Sequence, residues 1–276
     1  VSRILLSPDT VDCIVFWTKN PEPMLPFLKE IDDMDYDYYF QMTITDYEDD
    51  IEENLPDMAA SMATFLLMSE RLGKERIDWR FDPILLTKKY TIAYHLEKFE
   101  LMCEWLHHAT TRCIISFVDS GRESPYLELE REEIEELAKG LSDIARRYQL
   151  PLYTCAEKID LSKYGIMHGS CIDKEKIHQL IGYKLDLKKD TGQRRECRCV
   201  ESIDIGMYDT CIHGCKYCYA NSGVESAKKK NQQHDAKSPL LIGHLKGDEV
   251  ITDREVKSSR DNQISLFDLP EMYSSF

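Results

Sequence analysis

The run Arg76-Ile77-Asp78-Trp79-Arg80-Phe81 is one of six short segments that decide the fold. Each segment is rich in β-branched and aromatic residues and is bounded by polar or turn-forming residues, which is typical of strands. The six predicted strands are Cys13–Thr18, Tyr38–Thr45, Arg76–Phe81, Arg112–Val118, Pro151–Cys155 and Ser202–Met207.

Helical periodicity fills most of the intervals between these strands, because apolar side chains recur there every three or four residues. The predicted helices are Pro23–Met34, Asp57–Leu72, Thr91–His108, Leu129–Tyr148 and Asp173–Ile181. Strands that alternate with helices form βαβ units, with parallel strands and right-handed crossovers. We therefore expect an α/β fold, either a full or partial parallel barrel or an open sheet.

Polar side chains follow the predicted strands at the points where the strands end. They are Thr18, Lys19, Asn20, Thr43, Thr45, Arg80, Asp82, Ser116 and Glu157. Because the carboxyl ends of parallel strands meet at one edge, these side chains should line a single rim, where α/β proteins carry their sites. The last predicted strand, Ser202–Met207, leads directly into a cysteine-rich loop, which should lie on the same rim.

Length and composition suit one large soluble domain or one domain with appendages. The chain has 276 residues, and its net charge of −15 disfavours broad binding to nucleic acid or anionic membranes. No run is apolar enough to span a bilayer, and no secretory signal is visible, so we expect a cytoplasmic protein without membrane contact. The first residue is Val1, which suggests that an N-terminal element is missing.

Two regions are expected from the change in character after Asn221. Residues 1–221 form the predicted barrel-like domain, and residues 222–276 form a polar, flexible C-terminal tail with little periodicity. Cys13, Cys113 and Cys155 lie in apolar runs, Cys103 lies in a helical pattern, and five more cysteines lie between positions 197 and 218. This placement favours reduced thiols and a metal site over a disulfide scaffold.

Cys211, Cys215 and Cys218 give the strongest indication of function. Three residues separate the first two cysteines and two residues separate the last two. Three thiolates in one loop can hold three irons of a [4Fe-4S] cluster and leave the fourth iron open for chemistry. A structural zinc site needs four donors, and His213 or Cys199 could supply the fourth. Thiols without a metal are the third interpretation.

This loop resembles the signature of radical S-adenosylmethionine enzymes, with Tyr217 before the last cysteine. The ending Tyr217–Asn221 resembles the branch that includes spore photoproduct lyase. The wider chain, over about residues 1–221, resembles a bacterial family of unassigned activity in that superfamily. The runs Val15–Pro21, Arg80–Ile84 and Asp204–Asp209 carry this likeness.

The resemblance implies a [4Fe-4S] cluster on the three cysteines of the loop, with S-adenosyl-L-methionine on the open iron. It also implies an adenosyl radical that abstracts hydrogen from an unknown substrate, and a one-electron donor such as flavodoxin or ferredoxin. In most of the superfamily the cysteine loop follows the first strand, whereas here it follows the last predicted strand. The implied fold is therefore a circularly permuted, partial (β/α)6 barrel.

Several residues are candidates for contact with the cofactor. They are Tyr217, Asn221, Arg80, Asp82, Glu157, Thr18 and Asn20. Tyr217 is expected near the adenine, and Glu157 could bind ribose hydroxyls or an amino group. Arg80 and Asp82 could instead form a buried ion pair that holds the rim together.

A second metal site is a further possibility in the sequence. Cys171, Cys197 and Cys199 could hold a second iron–sulfur cluster, or they could be reduced cysteines near a crowded rim.

The tail segment Gln263–Phe267 resembles the peptide by which bacterial replication and repair proteins dock on the sliding clamp. Such peptides place a glutamine and two apolar side chains in pockets of the partner. Alternatively, Leu266 and Phe267 pack on the domain. Three hypotheses follow: a radical enzyme, related to nucleic-acid repair in one version; a zinc-stabilised α/β barrel without radical chemistry; and a repair accessory that docks on the clamp.

Overall fold

The structure is a computed structural model that describes residues 1–119 and 126–261. Its strands are β1 (Ser2–Ile4), β2 (Ile14–Thr18), β3 (Tyr38–Thr43), β4 (Ile77–Ile84), β5 (Cys113–Phe117), β6 (Leu152–Cys155), β7 (Met167–Gly169) and β8 (Thr252–Arg254). Its α-helices are α1 (Leu28–Asp33), α2 (Met58–Leu72), α3 (Ile92–Leu106), α4 (Arg131–Arg147), α5 (Lys174–Ile181) and α6 (Val224–Asn231). Short 3-10 helices cover Glu22–Phe27, Lys74–Arg76 and Ser162–Tyr164.

Six of the strands form one parallel sheet, in the order β2-β3-β4-β5-β6-β7. Each strand therefore neighbours the next one along the chain, and the carboxyl ends of all six lie at the same edge. The expected α/β fold with a parallel sheet is confirmed.

Helices α1 to α4 cover one face of this sheet. Phe65 of α2, Phe99 of α3 and Leu141 of α4 are fully buried in the same core as Trp79 of β4. The Trp79 and Phe99 rings stack with their centroids 5.1 Å apart. Burial of apolar area on this scale is the main source of stability for the domain.

Polar residues dominate the opposite face, which α5 and the segment that follows it cover. The carboxylate of Asp78 is inaccessible to solvent and lies 2.8 Å from both Arg112 Nη2 and Lys176 Nζ. Asp173 caps α5 by accepting a hydrogen bond from Glu175 N, and its other oxygen lies 2.6 Å from Arg112 Nη1. Because buried charges need partners, this network fixes α5 against the sheet.

Five of the six predicted strands are present, and one is wrong. Ser202–Met207 contains no strand, and the sixth strand of the sheet is Met167–Gly169. Ile205 and Met207 are 48% and 44% exposed, so this apolar run has no strand partner to pack against. The cysteine loop thus does not directly follow a strand, as had been expected.

The described part of the predicted tail contains regular structure. Strand β8 pairs in parallel with β1, and α6 precedes it. Ser259 connects this segment to the rest of the chain, since its carbonyl accepts from Asp186 N at 2.7 Å and its N–H donates to Asp12 at 2.8 Å. The predicted clamp-docking segment Gln263–Phe267 lies outside the described residues. Over residues 1–119 and 126–261, no helix combines the length and the apolar character needed to cross a membrane.

Candidate functional site

The cysteine loop docks on the connection between β3 and α2 through main-chain contacts. Cys215 forms an isolated antiparallel bridge with Glu52, and Lys216 N donates to Ile51 O at 3.0 Å. Asn54 N donates to His213 O at 3.0 Å, and Asn54 Nδ2 donates to Ile212 O at 3.2 Å. The loop therefore lies beside the carboxyl end of β3, although its cysteines are far from β3 in the sequence.

The carboxylate of Glu52 is the centre of this contact. Its Oε1 accepts from Thr45 Oγ1 at 2.9 Å, lies 2.9 Å from Lys19 Nζ, and also accepts from Tyr217 OH. Lys19 follows β2 and Thr45 follows β3, so Glu52 joins two strand ends to the loop. The rim on which the sequence placed the loop is therefore the place where it docks.

The three cysteines of the loop lie at the surface or partly buried. Cys211 is exposed, and Cys215 and Cys218 are half-buried. Burial raises the pKa of Cys215 to about 12, and the nearby Lys19 ammonium opposes that rise. Burial also raises the pKa of Cys211. The thiol of Cys218 contributes electrostatically to the raised pKa of both other thiols.

Loop closure depends on Asp209 and Asn221. Asp209 adopts a left-handed conformation, with φ of 58°, and its N–H donates to Ala220 O at 2.9 Å. Asn221 Nδ2 donates to Cys211 O, while Asn221 Oδ1 is shielded from solvent and has no partner among the described residues. This oxygen is an acceptor that remains available to a ligand at the loop.

Thr18 and Asn20, two of the predicted cofactor-binding residues, are used in local turns. Thr18 Oγ1 accepts from Asn20 N at 3.0 Å, and Asn20 Oδ1 accepts from Glu22 N at 3.1 Å. They shape the end of β2 next to Lys19 and therefore belong to the same rim as the loop.

Arg80 and Asp82 form the buried ion pair that was the alternative to cofactor contact. Both side chains are about nine-tenths buried, and Arg80 Nε donates to Asp82 Oδ1 at 3.1 Å. Arg80 Nη1 also donates to Gln41 Oε1 and to Cys171 Sγ, each at 2.7 Å. In the described residues, this pair contacts the sheet and Cys171 but not the cysteine loop.

Glu157, after β6, accepts a hydrogen bond from Phe117 N at 2.9 Å. Burial raises the pKa of Glu157 to about 7, and the Phe117 N–H opposes that rise. The carboxyl can therefore exist in either protonation state near neutral pH, which suits a group that binds or exchanges a proton.

Of the two proposed fourth ligands for zinc, Cys199 does not lie with the loop cysteines. His213 Nδ1 lies 3.2 Å from Asn54 O, and Cys199 belongs to a separate cluster with Cys171 and Cys197. Within the described ranges, no group of three or more His, Cys, Asp or Glu side chains is arranged to hold a metal ion.

Two residues of the candidate sites were missed in the sequence. Glu52 lies in an acidic run without periodicity, so no local signal distinguishes it from its neighbours. Cys155 joins the cluster around Cys171, with its Sγ 2.8 Å from Cys171 Sγ. Its position at the end of a predicted strand was the available signal.

Comparisons with known proteins place the chain in a family. Searches of curated proteins and of solved structures return no match. The profile of one family, described as "Domain of unknown function (DUF1848)", matches residues 1–220. This match covers most of the chain and ends just past the cysteine loop, so the chain belongs to the DUF1848 family.

Proposed function

We propose that this chain is a radical S-adenosylmethionine enzyme in which Cys211, Cys215 and Cys218 hold a [4Fe-4S] cluster. The observation that supports it most is the docking of this loop at the carboxyl ends of β2 and β3. In parallel α/β sheets, this edge is where cofactors and substrates bind.

The loop fits a cluster better than a single ion. Each of the three thiolates can bind its own iron of a four-iron cluster, which leaves the fourth iron open. A structural zinc site needs four protein donors, and Cys199, one of the two residues that could supply the fourth, packs with Cys171 and Cys197 instead. A loop with three cysteines therefore supports the cluster over the zinc-stabilised barrel.

The arrangement of helices on the sheet supports a more specific proposal for the fold, a partial (β/α)6 barrel. All four long crossover connections place their helices, α1 to α4, in one core on one face. A parallel sheet with helices on a single face curls around its other face, whereas a doubly wound sheet carries helices on both. The short α5 is the only helix of the described residues whose buried side chains pack against β3 on the polar face.

The chain's own residues would hold and orient the loop. Glu52 fixes the Tyr217 ring through its hydroxyl, and the Lys19 ammonium lies 5.8 Å from the centre of that ring. The positive charge of Lys19 favours the thiolate of Cys215, which is the form that binds iron. When bound, the reduced cluster would supply the electron that cleaves S-adenosylmethionine for hydrogen abstraction from a substrate.

Anaerobic reconstitution with iron and sulfide tests this proposal. We expect iron and sulfide to bind, an electron paramagnetic resonance signal after reduction, and cleavage of S-adenosylmethionine to 5′-deoxyadenosine. Cys215→Ala should abolish the cleavage. The matched control is Cys13→Ala, because Cys13 is half-buried near β2 and its thiol donates to Ile14 O instead of joining a cysteine group.

Other outcomes would decide for an alternative. A colourless protein with zinc bound to the loop would favour the zinc-stabilised barrel. A cluster that forms but never cleaves S-adenosylmethionine would overturn the radical chemistry. Three further points remain predictions: the electron donor, the link to nucleic-acid repair, and clamp docking through Gln263–Phe267. A pull-down with the clamp, with Gln263→Ala and Phe267→Ala as controls, tests the clamp docking.

A further inference from the structure

Four cysteines meet on the polar face of the sheet, away from the cysteine loop. Cys155 ends β6, Cys171 precedes α5, and Cys197 and Cys199 follow it as a Cys-x-Cys pair. Cys155 Sγ lies 2.8 Å from Cys171 Sγ, and the sulfurs of the other two pack in the same cluster. Cys171, Cys197 and Cys199 are only 8%, 6% and 7% exposed.

The hydrogen bonds distinguish these sulfurs from those of ordinary core cysteines. Arg80 Nη1 donates to Cys171 Sγ at 2.7 Å, and Ile172 N donates to Cys199 Sγ at 3.3 Å. Cys199 N lies 3.5 Å from Cys197 Sγ, also as a donor. N–H groups directed at sulfur stabilise a thiolate, and such contacts surround the thiolate ligands of metals.

Isolated cysteines in the same chain show the opposite pattern. The thiols of Cys13 and Cys113 donate to the carbonyls of Ile14 and Ile114, at 3.8 Å and 4.0 Å. They behave as small apolar residues with a weak S–H donor, which is usual for buried cysteine. The sulfurs of Cys171, Cys197 and Cys199 instead accept hydrogen bonds from N–H groups, as the thiolate ligands of a metal do.

Negative charge on the three buried thiols and on the half-buried Cys155 requires a compensating cation. Arg80 is the guanidinium in contact with the cluster, and Asp82 already pairs with it. Thiolate donors select soft metals, above all zinc and the iron of iron–sulfur clusters. A bound metal would supply the missing positive charge, and thiols that are still protonated would release their protons to solvent on binding.

The present spacing shows what metal binding must change. Four thiolates around zinc, with bonds of about 2.3 Å, are separated by roughly 3.8 Å from one another. Cys155 Sγ and Cys171 Sγ are 2.8 Å apart, and no described group already surrounds a single ion. The two side chains must therefore separate by about 1 Å for zinc, and an iron–sulfur cluster, which is larger, needs a wider opening.

We propose that Cys155, Cys171, Cys197 and Cys199 form a second metal centre, in which the protein supplies all four thiolate ligands to zinc or to an iron–sulfur cluster. This centre does not depend on the function proposed for the cysteine loop. A fully ligated centre has no open position, so its role is to stabilise the polar face of the sheet or to transfer electrons.

The test uses the full chain with the loop cysteines removed, as Cys211→Ala, Cys215→Ala and Cys218→Ala together. Iron, zinc and acid-labile sulfide are measured after anaerobic purification. We expect about one zinc without sulfide, or about four irons with about four sulfides, per chain. The first result identifies a zinc ion and the second a cluster. Absence of bound metal would overturn the proposal.

Substitution of the four cysteines assigns the site. Cys155→Ala with Cys171→Ala, in the same background, should remove the metal, whereas Cys13→Ala with Cys103→Ala should retain it. Metal content that is equal in both double variants would overturn the assignment. If the first double variant fails to fold, alkylation of the folded parent protein provides the test. The four cysteines should be protected from alkylation until a chelator is added. Labelling of these cysteines that is as extensive before the chelator is added as after it would contradict the proposal.

Discussion

Lys19 Nζ lies 2.9 Å from Glu52 Oε1, and the two side chains are only 14% and 5% exposed. The pair connects the end of β2 to the segment on which the cysteine loop docks. Glu52→Ala leaves Lys19 buried with Thr45 as its remaining hydrogen-bond partner. We expect a loss of about 3 kcal/mol in the free energy of unfolding, because an unpaired buried charge is costly. Urea denaturation of the variant and the parent protein measures this loss.

The exposed ion pair between Lys29 and Asp33 is the matched control for this change. Asp33→Ala should alter stability by less than about 1 kcal/mol, since solvent already screens that pair. The double variant Lys19→Met with Glu52→Leu should recover much of the loss, because it removes both charges together. Equal effects of Glu52→Ala and Asp33→Ala would show that the buried pair has no special role.

Gly214→Ala should weaken the metal binding that we propose for the loop. Gly214 has φ of +71°, and an added Cβ would lie 2.9 Å from Val224 Cγ2 and 3.3 Å from Asn54 Nδ2. Left-handed backbone costs a residue with a side chain about 1–2 kcal/mol, and the close contact displaces the loop as well. We expect less iron after reconstitution than in the parent protein, measured by iron content per chain.

Gly182→Ala separates backbone strain from loop displacement. Gly182 has φ of +76° at the end of α5, and an added Cβ would meet no atom within 4 Å. This variant should lose similar stability from backbone strain but bind as much iron as the parent. A Gly214→Ala protein with full iron content would show that the loop geometry does not control the metal.

Asp78→Asn should be among the most destabilising single changes on the polar face. The fully buried carboxylate of Asp78 pairs with both Arg112 and Lys176, so its neutralisation leaves two cations poorly compensated. We expect a loss of about 3–5 kcal/mol, with faster hydrogen exchange in α5 because Lys176 anchors that helix. Asp253→Asn, at the exposed pair with Arg3, is the control and should change little. Unchanged exchange in α5 would argue against the anchoring role.

The protein should lose stability on acidification through His95. This side chain is 3% exposed, and its Nε2 lies 2.8 Å from Leu85 O. Burial lowers the pKa of His95, so below about pH 6.5 the unfolded chain takes up a proton that the folded protein does not. The contribution of His95 to the free energy of unfolding is fully present above that pH. It is lost as the pH falls toward the pKa of His95 in the folded protein.

His95→Gln removes this titration. The variant should be less stable at pH 7, because the hydrogen bond and the packing against Tyr47 and Tyr94 are altered. Its stability should, however, depend less on pH between 7 and 5. Thermal denaturation of both proteins at several pH values measures the difference, and parallel curves would rule out His95 as the source.

Local patterns were sufficient to predict the strands that bury side chains on both faces. In β3, for example, Tyr38 to Met42 are all buried, and the apolar run is visible in the sequence. Strand β7 was missed because it has only three residues, one of which is Gly169, and Met167 is half exposed. Its pairing with β6 is a tertiary contact that leaves no local pattern.

The sequence also predicted the rim on which the cysteine loop lies, but for a partly wrong reason. The expected strand Ser202–Met207 would have carried the loop there, whereas the actual link is the bridge between Cys215 and Glu52. Contacts between positions so far apart in the chain depend on how the whole sheet is arranged. The sequence did group Cys171, Cys197 and Cys199 as a possible second site, and what it missed was that Cys155 packs against them.

Because the cysteine loop lies in the C-terminal third of the chain, it is synthesised after the strands of the sheet. The sheet is complete at Gly169, before the ribosome has translated Cys211, so β2 to β7 can pair while the loop is still absent. Segment 51–54, which the cysteine loop contacts, can therefore be in place before the loop is synthesised. If the loop holds the proposed cluster, insertion of that cluster is therefore a late event in maturation, which acts on a scaffold that has already formed.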